Sequence, residues 1–255
     1  MTLNVNEIFG ITIQGEGPSM GRPCAFVRLF QCNLQCTWCD TPYTWAVTER
    51  KAQRHRDKLQ YDRAEQSHGM HPDQIAEKLE AMPWATGRLP MVVISGGEPM
   101  LQQEGIVELI QNPLLRQMAY QWEIETAGTI GTRAALAALS DGGLLRFNVS
   151  PKLVTSGNSY AARRKWNVLE ELATFRNTAF KFVVTCEEGM RELDEIEEIR
   201  VRAGIRPSDI YLMPEGTTAS HVLVGMHRLV DEAIKRGYNL TTRMHTLIWN
   251  DERGR

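Results

Sequence analysis

Three cysteines stand within eight residues of one another near the start of the chain. Cys32, Cys36 and Cys39 have the spacing C-x3-C-x2-C, which lets three thiolates bind one face of a cubane iron–sulfur cluster. No fourth cysteine is close by, so one iron would stay open, whereas structural zinc sites and electron-transfer clusters normally have four ligands. The spacing alone leaves two alternatives, a zinc site completed by a distant histidine and cysteines that are simply buried. The open iron favours a reactive cluster over these alternatives.

Further polar motifs follow apolar runs that have the composition of strands. They are Ser95 to Pro99 (SGGEP), Glu125 to Gly128 (ETAG) and Ser150 to Lys152 (SPK). Because the carboxyl ends of parallel strands meet at one edge of a sheet, we expect these motifs and the cysteines to surround one site. Lys181 lies inside another apolar run, so its ammonium group should either be buried against an anion or reach out to solvent.

The cysteine triplet, with the aromatic Trp38 before its third cysteine, and the GGEP motif together resemble the radical S-adenosylmethionine (SAM) superfamily. The resemblance implies a [4Fe-4S] cluster on Cys32, Cys36 and Cys39, with SAM on the open iron as the source of a radical that removes a substrate hydrogen. It also implies that the Glu98 carboxylate holds the SAM ammonium group. The residues that it assigns to SAM are Trp38, Cys39, Asp40, Gly97, Glu98, Glu125, Thr126, Ser150, Pro151, Lys152 and Lys181.

The amino terminus narrows the resemblance. Glu7 to Gly17 (EIFGITIQGEG), FVRL at 26–29, Asp40-Thr41 and a histidine near the carboxyl terminus are similar to the 7-carboxy-7-deazaguanine synthase family. That family implies a carbon–nitrogen lyase that converts 6-carboxy-5,6,7,8-tetrahydropterin to 7-carboxy-7-deazaguanine with loss of ammonia, in queuosine (7-deazapurine) biosynthesis. It implies Mg²⁺ on the Thr41 hydroxyl. The substrate contacts that it implies are Ile13, Gln14, Gly15, Glu16, Arg28, Ser95 and His245.

The residue types suit such a substrate. Gln14 and Glu16 offer an amide and a carboxylate to a guanidine-like ring edge, and Arg28 offers a planar fork to a carboxylate. A threonine hydroxyl is the hard oxygen ligand that Mg²⁺ prefers. The structural alternatives are that Thr41 caps a helix and that Arg28 pairs with a core acid. No protein side chain is predicted to be the catalytic group, because the radical arises from SAM.

Two other functions are compatible with parts of this pattern. Another radical SAM enzyme, such as an activase that places a glycyl radical on a partner protein, is disfavoured because an added ferredoxin-like cysteine set is missing from the sequence. A non-catalytic metal-binding module would leave the SGGEP, ETAG and SPK motifs unexplained.

The segment Met213 to Gly216 departs from the family pattern, in which glutamine often precedes proline, so substrate contacts there are not predicted.

Apolar runs that alternate with amphipathic segments must position these motifs. The runs predict strands at Ala25 to Phe30, Met91 to Ser95, Trp122 to Thr126, Leu145 to Val149, Phe180 to Thr185, Ile210 to Met213 and Leu240 to His245. The amphipathic segments predict helices at Pro72 to Met82, Leu101 to Gln111, Thr132 to Leu139, Ala161 to Thr174, Met190 to Ala203 and Ala219 to Arg236. This rhythm predicts one α/β domain over residues 1–255, an incomplete (open) parallel βα barrel of the radical SAM type with six to seven strands. The polar residues 47–70 are predicted to be a surface insertion, more in keeping with a solvated connector than with the alternative, a lid that folds over the site.

Composition limits the partners. With 29 Lys and Arg against 31 Asp and Glu, the net charge of −2 offers no attraction for nucleic acid, and no run approaches the roughly 18 apolar residues of a membrane span. We therefore expect a cytoplasmic protein with no nucleic-acid or membrane partner. The resemblance implies a small-molecule pterin substrate, an electron donor such as flavodoxin or ferredoxin, and a homodimer. Cys24 and Cys186 lie in or beside predicted strands and are expected to be core residues.

Overall fold

The computed structural model describes residues 1–84, 90–119, 121–186, 191–250 and 252–254. Within these ranges the chain forms a nine-stranded sheet in the order β3-β1-β2-β4-β5-β6-β7-β8-β9. Its strands are β1 (Leu3–Ile13), β2 (Pro23–Leu29), β3 (His68–Met70), β4 (Val92–Gly96), β5 (Trp122–Thr126), β6 (Leu145–Val149), β7 (Thr178–Val184), β8 (Ile210–Pro214) and β9 (Asn239–Leu240). In the order from β2 through β4 to β9, each strand runs parallel to the next. The predicted open, mostly parallel α/β architecture is confirmed.

The sequence missed the antiparallel edge of this sheet. β1 pairs antiparallel with β2 on one side and with β3 on the other. The predicted strand at Leu240 to His245 is wrong beyond Leu240, because only Asn239 and Leu240 pair with β8. The chain then turns inward, where the Met244 N–H donates to the Gly15 carbonyl at 2.8 Å, and a helix begins at Met244. A short apolar run does not by itself distinguish strand from helix.

Helices cover the strands. They are α1 (Glu49–Ala52), α2 (Arg63–Gln66), α3 (Pro72–Glu80), α4 (Gln103–Ile110), α5 (Pro113–Met118), α6 (Ala134–Asp141), α7 (Tyr160–Arg163), α8 (Trp166–Thr174), α9 (Arg191–Ala203), α10 (Ala219–Arg236) and α11 (Met244–Trp249). The predicted helix at Ala161 to Thr174 is two helices, α7 and α8. Of the predicted helix Met190 to Ala203, Met190 lies outside the described residues. None of the described helices has both the length and the apolar character needed to cross a bilayer.

The bounds of α10 show how local chemistry sets a helix. The Thr218 hydroxyl accepts from the His221 N–H at the start, and Gly237 ends the helix in a left-handed conformation with φ of 69°. Between them Val222, Gly225, Leu229 and Ala233 are buried at helical spacing, so one stripe packs against the sheet. The predicted bounds of this helix are confirmed.

Alternation along each strand separates an apolar face from a polar one. On β5, Trp122 and Ile124 join the main core under the helices, as Phe180 and Phe182 do on β7. The side chains between them, Glu123 and Glu125 on β5 and Lys181 on β7, therefore point to the opposite face, inside the open barrel. Period-two alternation thus brings charged groups together in the interior.

The segment predicted as a surface insertion, residues 47–70, is attached to the cysteine loop at several points. The Arg56 N–H donates to the Thr37 carbonyl at 2.9 Å, and the buried His55 contacts the Cys39 carbonyl through Nε2 at 2.8 Å. The segment ends in β3, which pairs with β1. His55 and Arg56 therefore lie beside the cysteine loop, whereas Arg50 and Arg54 remain exposed.

Candidate active site

The three motif cysteines lie in the loop that follows β2. They line one cavity of about 140 Å³, and Cys36, Leu34 and Ala127 form a small apolar cluster beside it. Burial raises the pKa of the Cys36 thiol to about 11 and raises those of Cys32 and Cys39. A thiol with a raised pKa deprotonates when a metal takes its proton's place. Such a site therefore couples thiolate formation to cluster binding.

The arrangement of these thiols suits a cluster better than a single ion. Within the part of the chain that the structure describes, no three His, Cys, Asp or Glu side chains converge closely enough to hold one metal ion. A tetrahedral zinc site needs such convergence. In a cubane each cysteine binds a different iron, so the three sulfur atoms surround a space instead of meeting at one point. The donor set of Cys32, Cys36 and Cys39 around one cavity fits a cubane cluster.

Most residues that the sequence assigns to SAM line the same cavity. Those brought together around it are Trp38, Cys39, Asp40, Gly97, Glu125, Thr126, Ser150, Lys152 and Lys181. Glu98 and Pro151 are not in its lining. They belong to the motif segments, and both are buried.

Glu98 connects two strand ends. It is fully buried, and its carboxylate accepts from Thr126 Oγ1 at 2.7 Å, the Ala127 N–H at 2.8 Å and the Met100 N–H at 3.1 Å. Burial raises its pKa, and these donors only partly oppose the rise. The contact between this carboxylate and SAM stays a prediction. In the structure its oxygens are engaged in ordering the ends of β4 and β5.

A second, larger cavity of about 290 Å³ adjoins the first. All the residues that the sequence assigns to the substrate line it, namely Ile13, Gln14, Gly15, Glu16, Arg28, Ser95 and His245. Glu16, Cys39, Asp40, Thr41, Gly96 and Glu125 line both cavities. A molecule in the larger cavity would therefore lie directly beside the space around the cysteines.

A network of charged side chains, buried except at Asp40, lies where the two cavities meet. Glu16 accepts hydrogen bonds from Lys181 and, at 3.0 Å, from Arg243 Nε, and Arg243 also donates to Asp40 and to the Gly216 carbonyl. Burial alone would raise the pKa of Glu16, but Lys181 and Arg243 outweigh it and hold the pKa well below its ordinary value. Glu16 is therefore an anion at neutral pH, and Lys181 is buried against it, not extended to solvent.

Gln14 is held by two carboxylates on β5. Its Nε2 donates to Glu123 at 2.7 Å and to Glu125 at 3.1 Å, and its Oε1 accepts from the Glu16 N–H at 3.3 Å. Glu123 is itself fully buried and accepts from the Ser19 hydroxyl at 2.5 Å. These partners fix the orientation of the Gln14 amide, with Nε2 toward the two carboxylates and Oε1 toward the Glu16 N–H.

The structural alternatives were an acid partner for Arg28 and a helix cap for Thr41, and only the first is found. Arg28 does pair with an acid, because Nε donates to Glu7 at 2.7 Å while the guanidinium lies over the Tyr43 ring at 5.8 Å. Thr41 precedes a short 3-10 helix but makes no side-chain cap, and its hydroxyl lies 3.6 Å from Cys39 Sγ. Thr41 lines both cavities, where an oxygen ligand would be required.

Several site residues were missed by the sequence reasoning. Arg243 lies in a segment with the composition of a strand, and only its position two residues before His245 could have drawn attention to it. Tyr43, His55 and Arg253 also line the larger cavity. Of the remaining cysteines, Cys24 is fully buried in β2, as predicted for a core residue, whereas Cys186 is only partly buried and packs against the main core.

Comparisons with known proteins agree with this geometry. A family model described as the radical SAM superfamily matches residues 27–167, from β2 to α8. Together with the open parallel sheet and the three thiols at its edge, this match makes the chain a radical SAM protein, and a [4Fe-4S] cluster and SAM are the cofactors of that class. Within the class, it belongs to the 7-carboxy-7-deazaguanine synthase family.

Two relatives that carry this name match over nearly their whole length. The chain is 32% identical to the protein from Halobacterium salinarum, covering 98% of this chain and 91% of the relative, and 30% identical to that from Pyrobaculum aerophilum, covering 99% and 97%. A crystal structure of QueE from Escherichia coli has a TM-score of 0.65 at 24% identity, covering 96% of this chain and 95% of that one. That structure supports the fold. The predicted family is confirmed.

Proposed function

We propose that this chain converts 6-carboxy-5,6,7,8-tetrahydropterin to 7-carboxy-7-deazaguanine with loss of ammonia, a carbon–nitrogen lyase reaction that serves 7-deazapurine (queuosine) synthesis. The observation that carries the proposal is the pair of adjoining cavities. One is surrounded by three thiols, and the other is lined by Gln14, Glu16, Arg28 and His245. The family relationship supplies the reaction.

The chain's own residues bind and orient. When bound, the cluster and SAM supply the one-electron chemistry that removes a substrate hydrogen atom. Cys32, Cys36 and Cys39 hold the cluster, and polar groups such as Thr126 and Lys152 face the same space and suit the ribose, carboxylate and adenine of SAM. The walls of both cavities orient the two reactants and exclude water, which lowers the entropic barrier of the reaction.

Recognition of the pterin follows from fixed protonation and hydrogen bonding. Glu16, ionised by its cationic neighbours, accepts from the amino groups of the ring, while Gln14 presents an amide whose orientation is held by Glu123 and Glu125. Arg28 attracts the substrate carboxylate. Burial, with a further contribution from Arg243, lowers the pKa of His245 although Glu16 opposes this, so the imidazole is neutral at pH 7.

A magnesium ion belongs to the same proposal. The Thr41 hydroxyl faces both cavities, and it would bring Mg²⁺ to the substrate carboxylate. A small-molecule substrate and a reductant are required by the class of reaction. For the finer points we propose a flavodoxin or ferredoxin as the electron donor, a homodimer, and a cytoplasmic location.

Anaerobic reconstitution with iron and sulfide tests the function. With 6-carboxytetrahydropterin, SAM, Mg²⁺ and a reductant, we expect a brown protein, absorbance near about 400 nm that reduction bleaches, and a product with the mass of 7-carboxy-7-deazaguanine. Cys36→Ala should lose cluster and product, whereas Cys24→Ala, in the apolar core, should keep both. Full cluster content with turnover of another substrate, and no deazaguanine product, would show that the proposed reaction is wrong.

A further inference from the structure

Each of the three motif thiols accepts a hydrogen bond from an N–H group, and the three donors come from different parts of the chain, while Cys39 Sγ also contacts the Thr41 hydroxyl. The Leu34 N–H donates to Cys32 Sγ at 3.4 Å, Asn158 Nδ2 donates to Cys36 Sγ at 3.2 Å, and Trp45 Nε1 donates to Cys39 Sγ at 3.3 Å. The first donor is backbone of the motif itself. The other two are side chains outside every motif that the sequence singled out.

Trp45 is rigidly placed for this contact. It is 1% exposed, and its ring meets the buried His55 ring edge-on with centroids 6.2 Å apart. An indole N–H can only donate, and a buried donor needs an acceptor. Cys39 Sγ is that acceptor, so the orientation of the ring is explained by the sulfur that it contacts.

Asn158 is oriented by its carbonyl end. Its Oδ1 accepts from the Gln35 N–H at 2.9 Å, which leaves the amino end to face Cys36 Sγ and the Ser156 hydroxyl. Gln35 is the residue directly before Cys36, so one amide connects both the backbone and the thiol of the cluster loop. The contact with sulfur is therefore built into the loop that precedes α7.

Hydrogen bonds to ligand sulfur change how readily a cluster accepts an electron. On one-electron reduction, the electron supplied by the reductant raises the negative charge on the sulfur atoms, while every iron–sulfur bond stays in place. An N–H dipole directed at sulfur stabilises the reduced state more than the oxidised state, and this raises the reduction potential. A radical SAM site must take up such an electron before any chemistry begins.

We propose that Trp45 and Asn158 set the reduction potential of the [4Fe-4S] cluster through their N–H···S hydrogen bonds to Cys39 and Cys36. The proposal deepens the proposed function and rests on it only in requiring the cluster, not in the identity of the substrate. Both residues act through the cysteines, so they are positioning residues for the redox step. Their effect is measurable on the cluster itself, without turnover.

Trp45→Phe is the most direct test because it keeps an aromatic ring in the buried site and removes only the N–H and the five-membered ring. In a redox titration of the reconstituted holoenzyme followed by electron paramagnetic resonance, we expect a reduction equilibrium constant about tenfold smaller, which is about 59 mV more negative for one electron. Asn158→Asp keeps the Oδ1 acceptor for Gln35 but replaces the donor, and it should shift the potential in the same direction.

Trp84→Phe is the matched control, because it also removes a hydrogen bond donated by an indole N–H. The acceptor of that bond is the carbonyl of Leu79 on α3, at 3.2 Å. Its potential should equal that of the unchanged protein. Iron and sulfide content, measured for each variant, separates a shifted cluster from a missing one. If both Trp45→Phe and Asn158→Asp kept a full cluster with an unchanged reduction potential, the inference would be overturned and the proposed function would stand. If the unchanged protein bound no iron–sulfur cluster, both would be overturned.

Discussion

Lys181 on β7 donates a hydrogen bond to the carboxylate of Glu16, a residue 165 positions earlier in the loop after β1. Both side chains are buried, and the pair lies where the two cavities meet. Burial would lower the pKa of Lys181, but Glu16 and Glu125 outweigh it and raise the pKa above its ordinary value. This one contact therefore holds the amino-terminal loop to the middle of the sheet with both groups charged.

Replacing Lys181 by methionine should destabilise the fold. Glu16 would remain buried with Arg243 as its main cationic partner, and removing one member of a buried ion pair typically costs about 3 kcal/mol or more. The free energy of unfolding in urea measures this loss. Lys235→Met is the matched control. Lys235 is exposed and its ammonium nitrogen lies 3.8 Å from the Glu232 carboxylate, a long surface contact, so the loss of unfolding free energy should be much smaller. Equal effects of the two substitutions would contradict the role given to the pair.

The loss caused by Lys181→Met should depend on pH in a defined direction. Because the pKa of Glu16 is lowered in the folded protein, its contribution is complete above the ordinary value of 4.5 and is lost as pH falls below it. Because the pKa of Lys181 is raised, its contribution is complete below 10.5 and is lost as pH rises beyond that value. The difference in unfolding free energy between the two proteins should thus be constant from about pH 5 to 10 and shrink outside that range.

Replacing Arg243 by lysine tests the other half of the network. The planar guanidinium donates to Glu16, Asp40 and the Gly216 carbonyl at once, and a lysine ammonium cannot reproduce that fork. We expect a loss of about 2 kcal/mol in unfolding free energy, the size of a hydrogen bond to a charged group. Arg206→Lys, which changes an exposed arginine that holds Asp209 through two nitrogens, should have a far smaller effect. A loss no larger than that of the control would show that the fork is not required.

The main features of the fold were predictable because composition and local order determine them. Buried strands such as β4 contain continuous apolar runs, here Val92 to Ile94, and the helix from Ala219 to Arg236 has a cap and a terminal glycine. β1 was missed because it belongs to an antiparallel edge, where pairing depends on a distant partner, His68 to Met70. Such pairing has no local signal.

The site was predictable to the extent that short motifs define it. The cysteines, most residues of the strand-end motifs and the Gln14 to Glu16 string line the two cavities. Arg243 and Glu123 were missed because each acts through contacts with residues that are remote in sequence. Glu98 shows the reverse case, since its motif was found but the direction of its side chain depends on how β4 meets β5.

Glu123 should affect substrate binding although it lines neither of the two cavities. Glu123→Leu removes the shorter of the two contacts that hold the Gln14 amide, so the amide can rotate away from the orientation that suits the pterin. We expect the KM for 6-carboxytetrahydropterin to rise about tenfold with a smaller change in kcat, the effect of one lost hydrogen bond. Steady-state assays at equal cluster content measure this.

Ser19→Ala provides the contrast for Glu123→Leu. It removes a donor to the opposite oxygen of Glu123 and leaves the bond to Gln14 in place, so KM should change little. A rise in KM that is as large for Ser19→Ala as for Glu123→Leu would indicate general damage to the interior instead of a loss of Gln14 orientation.

Gly15 should be intolerant of a side chain because of His245. A Cβ at Gly15 would lie 2.0 Å from His245 Nδ1 and 3.1 Å from its backbone nitrogen, so the imidazole would have to leave its place in the larger cavity. Gly15→Ala should therefore raise KM for the pterin about tenfold, as His245→Ala should, and the double substitution should add little to either. Gly131→Ala is the control, because its Cβ would make only an ordinary contact of 3.5 Å with Glu171. If KM rose for His245→Ala but not for Gly15→Ala, the close approach of Gly15 to the imidazole would not be what holds His245 against the substrate.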